Sequence, residues 1–487
     1  MQLWDRLVRS LFVALGVGLA WGIRGDFGHS LGAMFPGAVL GLGFAYVTGQ
    51  RTAMAWMPLL GACGAFFISI GGMMSYGVLH GYAQADTFIN YSYGFFTLVL
   101  QGGAWGGFGG AALGLLLEKE RPKLGEILSC VMSAFAAGWL TYFVVVHLIG
   151  FHINPPRSDL SINFAGQMIG LLGWMIVNKK WVGLKGLSLG FIGFGLGMAL
   201  GRLEGNAIRH LPFDINHWNV MEVSCGFWGG LVFTFGMLGR RLPDPPLSEG
   251  WPQVSNFSIF YVLGFIPLLH RLLRINPDAK LESWTNSFLR GGVTDRALAE
   301  AYALQVAPML DAICVAAIVG ALFWLFLWRS DRQRWAWFPV LALSLAMLLF
   351  QNVNVVYLWE PTSAQNIAAG GRPTVNMHTV FWWLFGGMVL FTIAFELFWP
   401  QREVIVDDAT ADEIPWQRWL SFSFATFAMI LVIAAFTNNE ETMKTANTRF
   451  PIWSWTDGPF PGSPEKRAEN ERRMRERFRR AAGERSN

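Results

Sequence analysis

The stretch GIRGDFGH, residues 22–29, places Arg24, Asp26 and His29 within six residues, with glycine as the main spacer. A guanidinium, a carboxylate and an imidazole that close together can hold an anion, form an ion pair or pass a proton. Comparable groups recur through the first half of the chain. His80 ends a glycine-rich segment. Arg157 and Asp159 repeat the Arg-x-Asp spacing of Arg24 and Asp26. Arg202, Glu204, Arg209 and His210 crowd into nine residues. Glu222 stands inside an apolar run, where a carboxylate requires a partner; Arg202 or Arg209 is the expected one. These eleven residues form the candidate ligand-binding set. The competing structural reading is that Arg24 and Asp26 pair with each other, and that the histidines are satisfied by backbone or water.

No catalytic residue is singled out. The chain contains no P-loop, no Gly-x-Ser-x-Gly elbow, no HExxH and no CxxC. Cys63, Cys130, Cys225 and Cys314 lie far apart in apolar runs, without metal or redox spacing. Neither a metal nor a cofactor is expected.

The elements that position these residues follow from composition. Of 487 residues, 53% are hydrophobic and only 14% charged, against about 25% charged in a soluble domain. Apolar runs of roughly 18 or more residues, enough to cross a bilayer, recur from end to end. The expected fold is an all-α polytopic membrane protein with thirteen spans. They lie near 9–23, 31–49, 54–79, 93–117, 127–151, 161–178, 183–203, 218–239, 256–273, 303–328, 335–357, 377–399 and 416–436. The last third is less regular, and twelve crossings would place the tail on the same side as the N-terminus.

An internal comparison suggests a duplication. A shift of 124 lays GGMMSYGVLHG (71–81) on GLGMALGRLEG (195–205), matching His80 to Glu204. Shifts of 123 and 129 match Trp105-Gly-Gly to Trp228-Gly-Gly, and Leu31, Phe35, Gly37 and Gly41 to Leu160, Phe164, Gly166 and Gly170. Residues 1–120 and 125–242 are therefore expected to be two parallel four-span repeats. A C-terminal membrane region over 250–437 would follow, then a tail over 438–487, first aromatic and rich in Pro and Gly, then charged and helical. The glycines suit helices that pack in lipid, where small residues let backbones approach.

Basic residues orient the first eight spans. Eleven Lys and Arg fall on the side of the N-terminus and four on the other, which predicts a cytoplasmic N-terminus in the inner (plasma) membrane. The ionisable clusters then collect on the outer, periplasm-facing side. The leading expectation is a permease with an outward-facing polar cavity between the two repeats, its arginines favouring a polar or anionic solute. Asp26, His80 and Glu204 are the expected carriers of any coupling proton. Two alternatives stand beside it. One is an outer-leaflet enzyme transferring a glycosyl or acyl group from a lipid-linked donor. The other is a structural subunit docking a membrane or periplasmic protein partner. Besides the lipid bilayer and the solute, no nucleic-acid partner is expected.

Overall fold

The fold was analysed in a computed structural model. It describes residues 3–74, 76–85, 87–120, 122–154, 159–238, 250–331, 334–356, 371–398 and 416–438, with isolated positions at 367 and 472. Apart from Asn438 and position 472, the expected tail lies outside the described residues, as does Arg157. The chain is a multi-pass α-helical membrane protein. Among the described residues, twelve helices are long and apolar enough to cross a bilayer, against thirteen spans expected. The difference is α5 (Phe88–Leu116), 29 residues long. Its glycines dilute its hydropathy. It lies against the helices Arg51–Gly71 and Trp181–Ala207, so it requires fewer lipid-facing apolar side chains.

The core is a closed ring of six helices. α1 (Leu3–Arg24), α2 (His29–Thr48), α3 (Arg51–Gly71), α5, α8 (Trp181–Ala207) and α9 (His217–Met237) each pack on the next, and α9 returns to α1. Backbone approach closes the seams. A Cβ on Gly37 would lie 2.2 Å from the Gly64 carbonyl oxygen across α2 and α3. One on Gly106 would lie 2.1 Å from the Gly190 oxygen across α5 and α8, and one on Gly190 2.0 Å from the Gly106 oxygen. Only a residue without a side chain permits this contact. With the helices running alternately up and down, the C-termini of α1, α3 and α8 and the N-termini of α2, α5 and α9 gather at one end.

Aromatic rings fill the ring's interior. Trp21 of α1 reaches across to Trp105 of α5 at 5.2 Å between centroids and to Phe194 of α8 at 5.1 Å. Phe44 of α2 meets Phe233 of α9 at 5.9 Å. Burying these large rings supplies the dispersion contacts that hold helices together where lipid competes for apolar surface.

The third span ends earlier than the sequence suggests. α3 stops at Gly71, and the chain turns before the short helix α4 (Gly77–Tyr82). The reason is steric: Gly71 lies directly on the Trp105 indole, and Gly72 on the His29 carbonyl, where a Cβ would come within 2.1 Å of oxygen. Glycine lets the chain come this close at the turn, and α4 then packs on α5.

The other helices surround this core. α6 (Leu124–Tyr142) and α7 (Leu160–Val177) form a hairpin outside the ring, against α5 and α8. α10 (Trp251–Phe260) continues through a π-helical turn, Tyr261–Phe265, into α11 (Ile266–Arg274). α12 (Pro277–Arg290) and the 35-residue α13 (Arg296–Ser330) follow. α14 (Phe338–Val355) and α15 (Met377–Phe398) flank α1, and α16 (Trp416–Thr437) flanks α8. One parallel pair of two-residue strands, β1 (Asp214–Ile215) and β2 (Thr374–Val375), ties the loop after α8 to the start of α15.

Candidate functional site

The gathered helix ends hold a buried polar cluster directly above the aromatic filling. Arg24, the last residue of α1, is 1% exposed and lies over the Trp105 ring at 4.7 Å and the Trp21 ring at 5.2 Å. Its Nη2 donates to the Tyr76 hydroxyl at 3.0 Å and to Glu222 Oε1 at 3.2 Å. Tyr76 donates to the same carboxylate oxygen at 3.2 Å. Nη1 donates to His29 Nδ1 at 3.2 Å. Among the described residues Arg24 Nε makes no hydrogen bond.

From Tyr76 the cluster runs through rings to a second guanidinium. His80 lies 5.1 Å from Tyr76 and 5.4 Å from Trp218, and Arg202 stands over Trp218 at 5.9 Å. His80 is fully buried, and among the described residues neither ring nitrogen has a partner. Burial, reinforced by the positive charge of Arg202 and Arg24, lowers its pKa well below the ordinary imidazole value. It therefore presents one donor and one acceptor. Arg202, also fully buried, donates Nε and Nη2 to Asn206 Oδ1 at 2.8 and 2.5 Å. Its Nη1 has no partner among the described residues. Among the described residues no carboxylate comes within ion-pair distance of Arg202. The Gln101 amide, one turn from Trp105 on the same face of α5, likewise makes no hydrogen bond among the described residues.

Charge is thus uneven in this enclosure. Two buried guanidinium groups face one buried carboxylate. Unpaired buried charge costs several kcal/mol per ion, and unsatisfied buried donors add about 1–3 kcal/mol each. The arrangement is complementary to an acceptor-rich anion flanked by aromatic faces.

α4 and a tether roof the cluster. Asn438, just past α16, donates Nδ2 to the carbonyls of Ala83 and Ala85 at 2.9 and 2.8 Å, and its Oδ1 accepts from Asn206 at 2.8 Å. His210 lies 3.0 Å from the Thr437 carbonyl.

The expected site residues separate into two groups. Arg24, His29, His80, Arg202 and Glu222 come together. Asp26 does not pair with Arg24: it is exposed and accepts from Gln351 of α14. Glu222 pairs with Arg24 rather than with Arg202 or Arg209, because α9 turns that face toward α1. Glu204 accepts from Trp228 at 3.2 Å, and Arg209 is exposed beside His217 at 3.0 Å. Asp159 binds His152 and the Ile153 amide in the loop before α7. His80 and Glu204, matched by the shift of 124, therefore have different surroundings. Tyr76, Trp218 and Gln101 were missed. A lone amide four residues before a tryptophan in an uncharged span was the available signal for Gln101.

The GIRGDFGH segment is held by packing on three sides. Arg24 and Gly25 face Glu222, Phe27 packs on His270 and Phe350, and Gly28, at φ +84°, lies under the Arg274 guanidinium. GIRGDFGH locks the ring to α11 and α14. No family, curated protein or solved structure matches this chain.

Proposed function

We propose that this protein is a membrane permease for a small anionic solute, bound between Arg24 and Arg202 with His80, Tyr76, Gln101 and Trp218 as its walls. The observation that carries this reading is the charge imbalance: two buried guanidinium groups, one carboxylate, and unpartnered donors on both arginines. In this reading the N-terminus is cytoplasmic and the site faces the outer side of the inner membrane. The α3–α5 and α8–α9 hairpins, neighbours in the ring, descend from the duplication expected in the sequence. Transport requires the Trp21–Trp105–Phe194 filling to part, since it blocks the ring below the site.

Uptake into proteoliposomes tests this. Labelled sulfate, lactate, glutamate and glucose should be compared in wild type, Arg24→Gln and Arg202→Gln. Saturable anion uptake lost in both variants, with glucose excluded, supports the permease. The filled ring also favours a second reading, an outer-leaflet transferase whose Arg residues hold the anionic part of a lipid-linked donor. Absence of flux, with turnover of such a donor that depends on Arg24, would replace the permease with it.

A further inference from the structure

We infer that Glu222 is the proton-binding group of this site, and that anion and proton bind together because the anion and the Glu222 carboxylate compete for one edge of the Arg24 guanidinium. The inference rests on the anion-site reading above.

Nε and Nη2 form the side-on fork of an arginine, the edge that grips a carboxylate, sulfate or phosphate with two parallel bonds. On Arg24 that edge is half used. Nη2 is held by Glu222 and Tyr76, while Nε, beside it, has no protein partner. An anion that takes the whole fork displaces Glu222 from Nη2. On Arg202 the same edge is filled by the neutral Asn206 oxygen, so its charge stays uncompensated and adds to the attraction.

A displaced Glu222 carboxylate would be left beside an incoming anion. Asp26 is close enough to repel it as well, and Cys225, on its own helix, supplies no positive charge. Tyr76 remains a neutral partner. α8, packed through Gly201 on Met221, brings Arg202 toward the same level, where Asn206 already occupies its fork. Taking one proton from bulk water onto the Glu222 carboxylate removes that repulsion. The balance is simple: Glu222 moves from carboxylate to carboxylic acid as one anion enters. For a monoanion the site's net charge is the same before and after, so the pair crosses without net charge.

The test uses the full chain in lipid nanodiscs, with sulfate and L-lactate as probes because neither titrates between about pH 5.5 and 8.5. Tryptophan fluorescence gives the dissociation constant, and a pH dye in weak buffer counts protons. We expect uptake of one proton per anion bound. The dissociation constant should then rise about tenfold per pH unit where free Glu222 is ionised, since the bound state holds the extra proton. In Glu222→Gln, whatever anion binding remains should show neither effect. Wild type carries a second readout: an infrared difference spectrum, sulfate-bound minus free, should show a new protonated-carboxyl band. Anion binding with no proton uptake and no such band overturns the coupling alone. Failure of both probes to bind at any pH overturns the anion site, and the coupling with it.

Discussion

Gly71→Ala tests how the filling supports the site. A Cβ at Gly71 would lie 1.6 Å from Trp105 Cδ1. Two carbons require about 3.5 Å, so the indole must shift by about 2 Å. It has little room to do so: Trp21 lies at 5.2 Å, Tyr76 at 5.6 Å and the Arg24 guanidinium at 4.7 Å. Overpacking of this kind costs about 1–3 kcal/mol. Loss of a desolvated cation–π contact adds about 2 kcal/mol. Denaturant titration in micelles, read by tryptophan fluorescence, should show a loss of about 3 kcal/mol or more. Anion binding should weaken in whatever fraction folds, because Arg24 loses its support. Gly77→Ala is the control. Nothing lies within 4 Å of its Cβ position in α4, and alanine favours a helix over glycine by about 1 kcal/mol, so this variant should match or exceed wild type. A Gly71→Ala protein within about 0.5 kcal/mol of wild type, with unchanged fluorescence, would refute the packing argument.

Other outcomes follow from the same geometry. Gly190→Ala places a carbon 2.0 Å from the Gly106 oxygen, where about 3.3 Å is required; α5 and α8 must separate by about 1 Å, costing about 1–3 kcal/mol in the same titration. Glu222→Ala should destabilise by about 3–5 kcal/mol because it strands a buried guanidinium. The double variant Arg24→Ala/Glu222→Ala should cost less than the two single losses added together; strict additivity would show that the pair does not interact. Asn438→Ala removes the hydrogen bonds that hold the roof. It should speed amide exchange in α4 while leaving α2 unchanged, with a stability loss of about 2 kcal/mol; equal protection of α4 in both proteins would contradict the tether.

Composition and run length made the membrane class legible, since few charges and repeated apolar spans leave little else. Arg24, His80, Arg202 and Glu222 were legible as expensive groups near membrane depth. Which of them meet was not. Asp26, Glu204, Arg209 and His210 lie close to these in sequence, but side-chain direction depends on helix phase and on where each loop folds back. Glu204 is two residues from Arg202 and so points to another face of α8. Tyr76 was hidden because MMSYGVLHG continues an apolar pattern; only the contacts at Gly71 and Gly72 reveal that the helix must stop. α5 shows the converse, a central helix whose glycines lower its hydropathy because neighbouring backbones, rather than lipid, cover it. The ring itself, built from α1–α3, α5, α8 and α9, draws helices from both stretches, residues 1–120 and 125–242, because helix partners are chosen by surface fit and not by chain order.

The most direct test of the central claim is the affinity of the purified protein for sulfate and L-lactate, with glucose as the neutral comparison, followed by tryptophan fluorescence in nanodiscs at one fixed pH. Trp21, Trp105 and Trp218 surround the two arginines, so occupancy should be visible. Saturable binding of at least one anion, weakened at least tenfold in Arg24→Gln and in Arg202→Gln and absent for glucose, is the predicted result. Anion binding that survives both substitutions, or glucose binding in place of anions, would contradict it.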